Sequence, residues 1–185
     1  ANRVWRNPGK KASRRATGRW IERLRWRRRG PFTKGANIMT DTDELFLVTG
    51  ATGNTGAHTV KLLRERGRRV RALVHSVDER ADRLRELGAE VVQGDLLDFP
   101  AVSAATAGVR SAYFNYPVAP GLVEATANFV QAASEAGVHA VVNMSQLSAR
   151  REAESDAARH HWLARRLVGR SAPGPTHLRP PLFPS

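Results

Sequence analysis

The sequence predicts an α/β fold, a doubly wound parallel sheet of about six strands, on three observations. From Leu45 onward, short Val-rich apolar runs alternate with segments of helical period. Most of those short runs are apolar throughout, as strands covered on both faces must be. Gly67, Gly88, Gly108 and Gly137 each follow a helical segment, where a left-handed residue stops the helix and turns the chain toward the next strand.

The first strand is expected at Leu45–Thr49 and runs into a glycine-rich turn, with a helix over Thr55–Arg66. Arg69–Val74 reads as the second strand, Asp78–Leu87 as the second helix, and Glu90–Gln93 as the third strand. A helix over Phe99–Thr106 leads to a strand at Ser111–Asn115. In the helix expected over Gly121–Glu135, Leu122, Ala125, Phe129, Ala132 and Ala133 stand three or four apart and share one face. Ala140–Met144, a helix over Ser155–Val168 and a strand at Thr176–Leu178 complete the alternation. Connections are short, and right-handed crossovers place the helices on both faces. The sequence closes with HLRPPLFPS, which ends the last strand and leaves seven residues after it, so the expected domain lacks most of the C-terminal substrate segment that two-part enzymes of this architecture carry there.

A length of 185 residues suits one ordinary domain. The net charge of +13 is concentrated at the start: residues 1–38 hold 13 Lys/Arg and one acid, Glu22, leaving 17 bases against 16 acids in residues 39–185. Residues 1–38 are therefore expected to be a basic, disordered tail, separate from a folded domain at 39–185. Three readings of that tail stay open: upstream sequence translated ahead of a start at Met39, a solvated extension, or a nucleic-acid or membrane contact through Trp20, Ile21, Leu24 and the surrounding arginines. A mitochondrial presequence stays open as well. No apolar run reaches the roughly 18 to 20 residues of a membrane span, and there is no cysteine for a disulfide or a thiolate metal site. The expectation is a soluble, cytoplasmic protein without a metal, and an excess of 26 Arg over 4 Lys suggests a bacterial one.

The glycine turn reads Gly50-Ala51-Thr52-Gly53-Asn54-Thr55-Gly56 between strand and helix. Gly50 permits the tight turn, Gly53 lets the backbone approach a pyrophosphate, and Gly56 lets helix and strand pack closely, with amides near Asn54 and Thr55 aimed at the anion. The spacing is GxxGxxG rather than GxGxxG, and the alternative is a glycine-rich turn without a ligand. His75 lies 19 residues after Gly56, where a carboxylate would hold the ribose hydroxyls of NAD. With no acid there, and with Arg80 nearby, NADP is favoured over NAD; the alternative for His75 is an exposed loop residue. Asp95 and Leu96 follow the third strand and are candidates for the adenine edge, unless Asp95 caps the turn. Asn115, with Tyr116 and Pro117, ends the fourth strand beside the expected nicotinamide position.

Ser145 ends the fifth strand, where it can hold the nicotinamide or a carbonyl oxygen, or else cap a turn. His161 is a candidate general acid or hydrogen-bond donor, against a surface or packing role. Adjacent His160 points about 100° away and cannot serve the same site.

The segments VTGATGNTG, VRALV, QGDLLD, NFVQAASEAGVHAVVNMS and THLRPPLF resemble the NmrA-like, atypical short-chain dehydrogenase/reductase family over about residues 45–183. The resemblance implies an NAD(P)-binding Rossmann domain. Some members reduce quinones or other small acceptors; others bind the dinucleotide only as redox-sensing regulators of a protein partner. Gly50, Gly53, Asn54, Thr55 and Gly56 match the family's phosphate loop, Asp95 and Leu96 its adenine contact, and Ser145 its fifth-strand serine. Two positions depart from it: many relatives carry Arg at His75, and many carry Glu where His161 is followed by Arg165. The Tyr and Lys four residues apart that classical short-chain dehydrogenases use for proton transfer are absent, since Tyr113 and Tyr116 are followed by Pro117 and Pro120. The expectation is an NAD(P)H-dependent oxidoreductase without that pair, acting on a small acceptor such as a quinone, or alternatively a non-catalytic regulator.

Overall fold

The computed structural model describes residues 43–171 and 174–181. The expectations for residues 1–38 and for Met39 lie outside the described residues. Eleven elements alternate: β1 (Leu45–Thr49), α1 (Asn54–Glu65), β2 (Arg69–Val74), α2 (Glu79–Glu86), β3 (Glu90–Gln93), α3 (Phe99–Thr106), β4 (Ser111–Phe114), α4 (Leu122–Glu135), β5 (Ala140–Met144), α5 (Asp156–Ser171) and β6 (Pro175–Leu178). The strands form one six-stranded parallel sheet in the order β3-β2-β1-β4-β5-β6, the Rossmann arrangement.

The sequence places every element within a few residues. Most boundaries that differ do so by one residue, and two differences bear on the site or the core. Asn115 lies just past β4, with its side chain free to serve the turn rather than a sheet face. Helix α5 runs through Gly169 to Ser171 instead of stopping at Val168. A lone glycine costs a helix only about 1 kcal/mol, and Val168, fully buried against the sheet, holds that last turn in place.

Strand residues alternate between two cores. Leu47, Ala112, Phe114 and Val141 pack with Phe129 and Val130 of α4 and Val168 of α5, and Phe114 stacks on Phe129 with ring centroids 4.5 Å apart. On the other face Val48, Val70, Ala72 and Tyr113 meet Val60 of α1 and Leu84 of α2. The two faces are thus covered by different helices, which is why continuous apolar strands were needed. The strand order reverses at β1, which pairs with β2 on one side and with β4 on the other, all parallel. A crevice opens at the carboxyl ends of those two strands, the topological switch point. Among the described residues no helix is long and apolar enough to cross a membrane.

Candidate functional site

The glycine turn sits at that crevice, and its geometry explains its composition. Gly50 takes φ +58°, and a Cβ there would meet Asn115 O at 3.0 Å and Asn115 Nδ2 at 3.1 Å. A Cβ on Gly56 would lie 2.2 Å from Gly50 O, so only glycine lets α1 pack this close to the turn. Gly53 N donates to Gly50 O at 3.0 Å and closes the loop. Gly53 is also the N-cap of α1, where no side chain caps the helix and no acid stands in the first turn. The first amides of α1 therefore keep their donors, and the positive end of the helix dipole, for an anion.

Thr49 and Asn115 lock the two strand ends together. The buried Thr49 hydroxyl donates to Asn115 O at 2.8 Å and accepts from Asn115 N at 2.9 Å. Asn115 Nδ2 reaches Thr55 Oγ1 at 3.5 Å, which links this pair to the first turn of α1. The one sign of Thr49 in the sequence is a hydroxyl residue closing the otherwise apolar run LFLV.

Two cavities meet over Asn115, Tyr116 and Pro117. The larger, about 580 Å³, is lined by Gly50, Thr52, Gly53, His75, Arg80, Asp95, Leu96 and Asn115. It brings together most of the residues expected to contact a dinucleotide. The smaller, about 270 Å³, is lined by Asn54, Thr55, Asn115, Met144, Ser145 and His161 among others. Both expected reaction-end residues share it.

At the larger cavity's outer end, His75 is exposed, with its Nδ1 3.9 Å from Asp95 Oδ2. Asp95 Oδ1 accepts from Leu97 N at 2.9 Å, so this carboxylate caps its own turn, and it also lines the cavity. Arg80 is held by Asp78, Nη2 to Oδ2 at 2.6 Å, and the guanidinium lowers the Asp78 carboxyl below its usual range. Asp78 also caps α2 by accepting from Arg80 N. Arg80 further borders a groove of about 520 Å³ with Lys61 and Arg83, so this end of the site is rich in cations.

In the smaller cavity Ser145 is 4% exposed, and its Oγ has no hydrogen-bond partner. It caps no turn. Ser145 N donates to Leu178 O at 2.8 Å, fixing the backbone and leaving the hydroxyl unspent. His161 is 5% exposed rather than a surface residue, and burial, with His160 beside it, lowers its pKa. Both effects favour the neutral imidazole over the imidazolium. Tyr113, which sequence reasoning set aside for lack of a lysine, is buried with its hydroxyl unpaired. Burial raises its pKa, and the nearby Thr55 hydroxyl opposes that rise without closing a hydrogen bond of ordinary geometry. No three His, Asp or Glu side chains among the described residues gather as metal ligands.

These features suit a nicotinamide dinucleotide: donors without partners at the phosphate position, a long cavity to one side, and a short uncharged one to the other. The model of the NmrA-like family matches residues 42–171. The NAD(P)H azoreductase of Xenophilus azovorans is 37% identical over 97 residues, which is 51% of this chain and 32% of that protein. The triphenylmethane reductase of Citrobacter sp., solved in complex with NADP(H), superposes with a TM-score of 0.63 at 27% identity, covering 76% of this chain and 50% of that one. The NADPH-dependent quinone oxidoreductase of Escherichia coli, solved with NADPH, gives 0.63 at 26% identity over 73% and 48%. The chain thus spans about a third of the curated relative and about half of each solved structure. With a family match over residues 42–171 and the glycine turn standing at the switch point of a six-stranded parallel sheet, the chain belongs to the NmrA-like family of NAD(P)-binding Rossmann proteins.

Proposed function

We propose that the protein is an NAD(P)H-dependent oxidoreductase that reduces a small acceptor such as a quinone, with NADP preferred to NAD. The carrying observation is the pair of cavities joined over Asn115, one lined by the glycine turn and the other by the unspent Ser145 hydroxyl and His161. Gly53, Asn54, Thr55 and Gly56 bind the diphosphate through backbone amides, and Thr52 and Gly50 shape the turn around it. Asp95 and Leu96 border the adenine. His75 and Arg80 offer no carboxylate to repel a 2′-phosphate, and the Lys61 and Arg83 side chains add positive potential behind them.

The reduced nicotinamide, when bound, supplies a hydride. Asn115 and Ser145 orient the reacting ring, with Ser145 Oγ donating to the carboxamide or to the acceptor oxygen. His161, whose burial favours the neutral ring, donates a ring N–H to the oxygen on which negative charge grows, and water supplies the proton that completes reduction. Such a reaction asks less of protein groups than carbonyl reduction, which suits a site without a Tyr–Lys pair. The test is to follow loss of reduced-nicotinamide absorbance with a series of quinones: turnover supports the reading.

A second reading, a redox-sensing regulator that binds the dinucleotide and acts on a protein partner, draws on Arg165, where the residue one turn beyond His161 is a cation hydrogen-bonded to Ala149 O. Tight cofactor binding with no turnover on any acceptor would favour it.

A further inference from the structure

Behind the loop that follows Ser145, two guanidinium groups converge on one neutral oxygen. Arg165 of α5 donates through Nη1 to Ala149 O at 3.3 Å. Arg179, just past β6, donates through Nη2 to the same oxygen at 3.4 Å and to Leu147 O at 2.8 Å. Among the described residues no carboxylate forms an ion pair with either arginine. Arg165 Nε is buried without a partner, so this guanidinium has one donor unspent. Burial first, and then the charges of Arg179 and Arg166, lower the Arg165 pKa. A carbonyl carries no net charge and cannot offset two cations; an anion can.

We propose that Arg165 and Arg179 form a binding site for a small oxyanion, separate from the glycine turn. Planar guanidinium forks match the oxygens of phosphate, sulfonate or carboxylate. Its place suggests a purpose. Arg165 stands one helical turn from His161 on α5, about 6 Å along the axis. Arg179 precedes Pro180, which lines the smaller cavity and accepts from Leu147 N at 2.9 Å. An oxyanion here braces the segment 145–149 that carries Ser145, and it arrives either as a free ion or as a charged group on the acceptor.

The full chain is melted against inorganic phosphate at constant ionic strength set with chloride. A saturable rise in Tm of about 3 °C at tenfold excess over Kd is expected. It should shrink in Arg165→Gln and Arg179→Gln and be partly kept in Arg165→Lys, which retains the charge without the planar fork. Arg179 is exposed, so its substitution leaves folding intact. Phosphate attracted by the glycine turn or by the basic residues 1–38 leaves a residual rise that these changes do not touch, so a rise as large in both Gln variants as in the parent overturns the proposal, as does no rise at all. The second arm rests on the proposed function and compares a sulfonated quinone with its neutral parent. A KM that rises about tenfold in Arg179→Gln for the sulfonated quinone alone marks an acceptor-borne anion; unchanged KM values with the phosphate effect intact mark a free one. Failure of all quinone turnover would overturn the oxidoreductase reading and leave the phosphate result standing.

Discussion

Thr49 and Asn115, 66 residues apart in sequence, exchange two hydrogen bonds through the Thr49 hydroxyl and so fasten the ends of β1 and β4 where the two cavities meet. Thr49→Val keeps the shape and removes both bonds, leaving a backbone donor and acceptor of Asn115 unpaired. The expected loss is about 1 to 3 kcal/mol in urea unfolding, together with weaker NADPH binding. Thr49→Ser should restore most of both.

Gly53 separates the glycine turn's structural need from its ligand need. A Cβ there would sit 3.3 Å from Gly50 O, a tight but tolerable contact, while its φ of −81° suits any residue. Gly53→Ala is expected to fold with a Tm within a few degrees of the parent and to bind NADPH at least about tenfold more weakly, because the methyl stands where the diphosphate approaches. Calorimetric titration beside a thermal melt reads both effects.

Ser145 offers a test with opposite signs. Its buried hydroxyl has no partner, and an orphaned polar group costs stability. Ser145→Ala should therefore leave stability unchanged or raise it by up to about 1 kcal/mol while kcat/KM for quinone reduction falls at least about tenfold. A serine kept only for structure would show neither the gain nor the loss.

His161 and His177 both have lowered pKa values, His161 through burial and then His160, His177 through burial and then Arg165. A histidine whose folded pKa lies below its unfolded value binds its proton more readily in the unfolded chain, so stability rises with pH across that interval. Stability is expected to be full above the ordinary value of 6.5 and to fall as pH drops from there toward the lowered folded values. Urea midpoints measured between neutral and mildly acid pH should show this slope, and His161→Gln should flatten part of it.

Much of this was legible in the chain itself, for identifiable reasons. Strands covered on both faces leave unbroken apolar runs such as Leu45–Val48, and glycines such as Gly67 and Gly137 mark where helices end, so the sheet and its helices can be read locally. Gly50, Gly53 and Gly56 are legible because the demand they meet is a property of the backbone. Thr49 is not, because its partner lies 66 residues away and a threonine in a strand is unremarked on propensity alone. The burial of His161 was equally hidden: period assigns a residue to a face of α5, whereas the rotation that turns that face toward Ser145 is set by packing against the sheet. Asp95 shows a further limit, since capping a turn and lining a cavity leave the same residue in the same place.

The central claim is that uncapped amides of the first βα turn hold a dinucleotide diphosphate. Isothermal titration of the chain with NADPH and with NADH tests it most directly. One equivalent of NADPH bound in the micromolar range or tighter, with NADH weaker, is the expected result; no saturable heat with either nucleotide would contradict it.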